Sequence, residues 1–157
     1  MALVTEKEPA ALKTDGHARR VLFVCTGNTC RSPMAAAILA RLRPTWEVSS
    51  AGLFADGSPI SENALLVLHE NGITSADSHI STPVSEELII GADDVVGISS
   101  RHAMALTVRF PAAAAKIRPL PFDIPDPFGG DADTYRAAYA SLERAIGEMF
   151  GEVPYEK

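Results

Sequence analysis

A chain of 157 residues, 46% hydrophobic and 22% charged, has the size and make-up of one soluble globular domain with an ordinary core. Its net charge of −6 argues against general affinity for nucleic acid or an anionic membrane, and no apolar run approaches the roughly 18 residues a spanning helix needs. Two cysteines, both in one short stretch, rule out a disulfide framework and fit a reducing cytoplasm.

In chain order, residues 1–18 mix charges with Pro9 and Gly16 and lack an apolar core followed by a cleavage site. They are expected to form a poorly ordered extension, not a secretory signal, with a single domain over residues 19–157. Val21–Val24 is an unbroken apolar run, as expected of a strand buried on both faces of a parallel sheet. A loop from Cys25 to Arg31 follows. Ser32 then reads as an N-cap, Pro33 as a first helical position and Met34–Leu42 as an alanine-rich helix. Beyond Pro44, Trp46–Ser50 reads as a second strand, and Ser61 as the cap of a helix from Glu62 to about Asn71, stopped by Gly72. Ser85, Glu86 and Glu87 open a short helix that ends at Ile90. Asp94–Ile98 is a third strand, Arg101–Phe110 a helix closed by Pro111, and Lys116–Leu120 a fourth strand. The loop Pro121–Gly130 leads into a long helix over about Thr134–Phe150, where Ala138, Leu142, Ala145, Ile146 and Met149 recur at helical spacing. Alternating strands and helices predict an α/β fold, a doubly wound four-stranded parallel sheet with helices on both faces. Ligands in such sheets bind outside the carboxyl ends of the strands, where the loops after the first and fourth strands both open.

The first of those loops has the chemistry of an anion site. Curling over a helix N-terminus, it points the backbone N–H groups of Thr26–Arg31 inward, and the helix dipole adds positive potential. Gly27 and Asn28 are residue types that readily take the left-handed turn this needs. Such a setting favours a thiolate at Cys25, and Arg31 offers a planar fork of donors for two phosphate oxygens. Thiolate and arginine together equip the loop for nucleophilic phosphoryl transfer. The Gly-Lys-Ser/Thr ending of a nucleotide-binding loop is missing.

The second loop holds Asp123 and Asp126 between prolines and glycines. One carboxyl group could protonate the leaving group and then deprotonate water, although Asp-Pro is equally a turn former. Ser32 is either a cap or a donor to the Cys25 thiolate, and Asn28 is better suited to shaping the loop than to touching substrate. Cys30 is either a small buried residue or a partner in a reversible disulfide that protects Cys25. His17, His69, His79 and His102 have no ligand spacing, and Asp123, Asp126, Asp131 and Asp133 do not form a calcium-loop pattern, so no metal or other cofactor is expected. His79 and His102 are read as structural or surface residues.

The stretch CTGNTCRSPM, Cys25–Met34, resembles the signature of the low-molecular-weight protein-tyrosine phosphatases, nearest to their bacterial protein-arginine phosphatase branch. The resemblance extends through Ser50-Ala51-Gly52, His79 and Asp126–Gly130, over about residues 19–150. It implies that family's fold and a metal-independent phosphatase with a cysteinyl-phosphate intermediate. It also implies catalytic roles for Cys25, Arg31 and Asp126, and substrate binding by Thr26, Gly27, Asn28, Thr29, Cys30, Ser32 and Phe128. Expected partners are phosphorylated protein side chains, phosphoarginine preferred, with phosphate or another oxyanion in the loop and neither nucleic acid nor membrane. Ala36 replaces the family's usual glutamate, Phe128-Gly129 the two tyrosines usual after Asp-Pro in the tyrosine branch, and Thr29 that branch's usual aliphatic residue. The alternatives are a phosphotyrosine phosphatase, an arsenate reductase relying on an external thiol, and a non-catalytic oxyanion-binding or redox-sensing module.

Overall fold

Residues 18–151 are described in the computed structural model; residues 1–17, which make up almost all of the expected extension, and 152–157 lie outside them. The chain runs β1 (Arg20–Cys25), α1 (Arg31–Leu42), β2 (Glu47–Gly52), α2 (Glu62–Glu70), α3 (Glu86–Gly91), β3 (Asp94–Gly97), α4 (Ser100–Arg109), β4 (Ile117–Pro119) and α5 (Ala132–Phe150). All strand pairs are parallel and the sheet order is β2-β1-β3-β4. The uninterrupted apolar run of β1 has the reason expected for it. Val21 and Phe23 pack on one face with Met34, Ile38, Leu68, Leu142 and Ile146, and Leu22 and Val24 on the other with Val84, Ile89, Val95 and Leu106. Alternate side chains of one strand thus seed two cores, which is the doubly wound architecture.

Several boundaries differ from the sequence reading. α1 begins at Arg31 with Cys30 as its N-cap, so Ser32 is not the cap and Pro33 is the third helical residue. No side chain caps this helix; the Ser32 hydroxyl is engaged beneath the Cys25 loop instead. α5 starts two residues before Thr134, because the carboxylate of Asp131 accepts the Thr134 N–H at 2.9 Å. Pro111 closes α4 as expected, but it also opens a 3₁₀ turn over Pro111–Lys116, a use its fixed φ suits.

At the amino ends of the strands, Trp46 lies under the guanidinium groups of Arg19 (4.8 Å) and Arg43 (5.7 Å). Its ring meets Phe150 edge-on at 5.8 Å, and Phe150 meets Phe23 at 6.4 Å. This cluster ties the entry to β1 to the end of α5. Among the described residues, no helix is long and apolar enough to cross a membrane.

Candidate active site

β1 delivers Cys25 to the carboxyl edge of the sheet, where the chain has turned to β2 on one side and β3 on the other, the crevice expected for a ligand. Cys25 stands in register with Gly52, and this pairing needs a glycine. A Cβ on Gly52 would lie 2.7 Å from the Thr26 carbonyl oxygen and 3.0 Å from Asn28 Cβ. With none there, the Leu53 and Phe54 N–H groups reach the Cys25 and Thr26 carbonyls at 2.9 Å each, and the loop lies flat against the end of β2.

Asn28 organises the loop from inside. It is fully buried with φ of 59°, the left-handed conformation that asparagine tolerates. Its backbone N–H donates to Cys25 Sγ (3.3 Å), and its side-chain amide donates to Ser32 Oγ (2.8 Å) and Ser50 Oγ (2.9 Å). Its Oδ1 accepts the Thr82 N–H at 2.8 Å, and its carbonyl accepts from His79 Nε2 at 2.8 Å. The expectation that Asn28 shapes the loop has its geometry in these five bonds.

Because Asn28 donates to Ser32 Oγ, the Ser32 hydroxyl is free to give its hydrogen to Cys25 Sγ, 3.0 Å away. Two donors, Ser32 Oγ and Asn28 N, therefore converge on the sulfur. Cys30 Sγ sits against Tyr135 Oη (3.3 Å) and Ser61 Oγ (3.5 Å), and both cysteines are free thiols. Burial, then the neighbouring Cys30, holds the Tyr135 phenol above its ordinary value, so it is protonated and can donate.

A cavity of about 220 Å³ opens above the loop, lined by Cys25, Thr26, Gly27, Asn28, Thr29, Cys30, Arg31, Asp126 and Phe128. Of the residues expected at the site, only Ser32 is not in this lining; it lies behind the sulfur. Arg31 is 8% exposed; its Nη1 donates to the Ile124 carbonyl at 2.9 Å and its Nη2 stands 3.5 Å from Asp126 Oδ2. Asp126 Oδ1 also accepts the Phe128 N–H at 3.1 Å, so the carboxylate is oriented in a turn, and Phe128 stands exposed at the mouth. The turn-former and proton-carrier readings of Asp126 are thus compatible in one geometry.

The structural reading of His79 and His102 acquires a specific contact for each. Both reach the loop: His79 at the Asn28 carbonyl, His102 Nε2 at Thr26 Oγ1, 2.9 Å away. His102 is buried, and its Nδ1 accepts the Ser99 N–H at 3.2 Å. Burial first, then the charges of Arg31 and Arg101, push its imidazole down to about 4, so the ring is neutral at pH 7. The Ser99-x-x-His102 spacing of a capping box was readable in the sequence, but the contact with Thr26 spans 76 residues and left no local signal. Among the described residues, no group of three or more His, Cys, Asp or Glu could hold a metal ion.

The chain is similar to known proteins over most of its length. The model of the low molecular weight phosphotyrosine protein phosphatases matches residues 20–157. A protein-arginine-phosphatase of Geobacillus stearothermophilus is 44% identical over 88% of this chain and 98% of its own. The low molecular weight protein-tyrosine-phosphatase PtpB of Staphylococcus haemolyticus is 32% identical over 83% of this chain and 96% of its own. Among solved structures, the cysteine-to-serine mutant of the YwlE arginine phosphatase, with a phosphorylated active-site serine, superposes with a TM-score of 0.78. It is 33% identical and covers 83% of this chain and 92% of that one. The chain belongs to the low molecular weight phosphotyrosine protein phosphatase family, whose members are cysteine-based hydrolases.

Proposed function

We propose that this chain is a cytoplasmic protein-arginine phosphatase. The Cys25 thiolate attacks phosphorus, the bond to the leaving guanidine nitrogen breaks, and Asp126 gives that nitrogen a proton. Water then attacks the phosphorus, Asp126 takes its proton, and the S–P bond breaks to release phosphate and the thiolate. Backbone N–H groups of Thr26–Arg31 and the Arg31 guanidinium hold the phosphoryl oxygens as charge shifts. These groups supply the positive charge, so the reading assigns no metal or other cofactor. A nucleophile that must stay a reduced thiol suits the cytoplasm.

The observation that carries the substrate assignment is the cavity wall. Thr29 lines it, with a hydroxyl where an aliphatic side chain would give an apolar surface. A phosphorylated guanidine is planar and rich in N–H donors, whereas a phenol brings apolar faces. The 44% identical relative that is named a protein-arginine-phosphatase supports the same choice. The rival reading is phosphotyrosine; an exposed ring, Phe128, stands at the mouth, but Phe128-Gly129 lacks the two tyrosines usual in that branch, which favours phosphoarginine.

Turnover of phosphoarginine and phosphotyrosine peptides, compared side by side, decides between them. Wild type should favour phosphoarginine in kcat/KM, and Thr29→Ile should shift the ratio towards phosphotyrosine by roughly one to two orders of magnitude. A ratio that does not move removes the main support for phosphoarginine. Cys25→Ser should abolish turnover on both peptides while leaving oxyanion binding measurable; an active serine variant would overturn the mechanism.

A further inference from the structure

We infer that His102 is a positioning residue that holds the Thr26 hydroxyl as a hydrogen-bonding contact for the leaving guanidine; this rests on the phosphoarginine reading above. The direction of the bond between His102 and Thr26 follows from where the ring carries its proton. Nδ1 faces the Ser99 N–H at 3.2 Å and the Ser99 hydroxyl at 3.0 Å. A backbone N–H can only donate, so Nδ1 is the acceptor and the hydrogen of the neutral imidazole is on Nε2. Nε2 is 2.9 Å from Thr26 Oγ1 and therefore donates to it.

That direction matters to the cavity. With the imidazole filling one lone pair of Thr26 Oγ1, the hydroxyl keeps one lone pair and its own hydrogen, and Thr26 is part of the cavity lining. A guanidine N–H can donate to the remaining lone pair, whereas an aryl phosphate has no such donor to offer. The ring is also well anchored. Gly97 at the end of β3 lets the start of α4 approach so closely that a Cβ there would lie 2.5 Å from the Ala103 N. His102 is 6% exposed, and its Nδ1 is tied into the cap of its own helix. A rigid helix N-terminus thereby sets the direction of a hydroxyl one residue from the nucleophile.

The test exploits the capping box. Glutamine at this helical position can accept the Ser99 N–H as histidine does, but it offers no ring to reach Thr26. His102→Gln should lower kcat/KM on a phosphoarginine peptide by roughly tenfold, the scale of one hydrogen bond to a polar leaving group, and leave turnover of an aryl phosphate within about twofold. In a Thr26→Val background, the same change should cost nothing further on phosphoarginine, because the hydroxyl it orients is gone. Equal losses on both substrates would make His102 merely structural, and full phosphoarginine activity or additive losses would break the link to Thr26; each overturns the inference. If the glutamine variant does not fold, the imidazole nitrogen resonances of wild type at pH 7 decide the matter. A bare Nδ1 with a protonated Nε2 is expected, and the opposite tautomer overturns it. Failure of the phosphoarginine reading is seen separately, in wild type: an enzyme active on aryl phosphate and inert on phosphoarginine rejects that reading and this inference with it.

Discussion

Asp123 and Asp126 stand three residues apart in one loop, and their side chains go to different places. Asp123 Oδ1 accepts the Ser100 N–H at 2.9 Å, at the first turn of α4, while Asp126 lines the cavity 3.5 Å from Arg31. If Asp126 handles the protons, Asp126→Asn keeps its shape and should lower kcat by about 10²–10⁴-fold, least for activated aryl phosphates, which need little help in leaving. Asp123→Asn should change kcat far less and register chiefly in thermal stability. A larger kinetic loss at Asp123 would give the proton-carrying role to Asp123. At this scale the sequence was informative where chemistry is local: Cys25, Asn28 and Arg31 sit within seven residues, although of the two residues expected in a left-handed turn Asn28 takes it and Gly27 does not. It pointed to Ser32 and Asn28 as local supports but assigned no loop contact to distant residues. His79 contacts Asn28 from 51 residues away and Thr82 from 54, and nothing near either marks it as a partner of the loop.

The elements were legible from periodicity, and their ends less so. β1 read correctly because both its faces are buried, and the register that sets Cys25 opposite Gly52 follows from that strand's place in the middle of the sheet. The start of α1 was misplaced because a serine before a proline looks like a cap, whereas here the Ser32 hydroxyl is used on the sulfur. Leaving α1 without a capping side chain keeps its first-turn N–H groups available to an anion. The junction of β2 with the loop makes a further prediction. Gly52→Ala should destabilise the fold by about 1–3 kcal/mol, as overpacking does, since its methyl meets backbone and not a flexible side chain. Urea unfolding reads the stability, and kcat should fall as well, because the carbonyl that would be displaced belongs to Thr26, the residue after the nucleophile. Unchanged unfolding and kinetics would mean the loop can shift freely.

For the whole molecule, the doubly wound sheet was readable in the alternation of strands and helices, and the fold in turn makes stability depend on acidity. His102 is held at about 4 in the folded chain against an ordinary value of about 6.5 when unfolded. As pH falls from about 6.5 to about 4, the unfolded chain takes up this proton first, so stability declines across that window and levels off below it. Asp56 and Asp131, both held below their ordinary value by hydrogen bonds, add a loss of the same sign at still lower pH. Melting temperature followed from pH 7 to pH 4 should therefore drop in wild type and drop less in His102→Gln; parallel curves would show that the ring charges without cost. The cluster at the other end of the strands has an optical consequence. Trp46 is the sole indole of the chain, pressed between two guanidinium groups and Phe150. Its intrinsic fluorescence therefore reports whether the last helix is docked on the start of the first strand, and is blind to whether the anion loop is filled. A shift of its emission to longer wavelength during an assay signals loss of the fold, and a steady spectrum during inhibition by phosphate signals that the fold is intact.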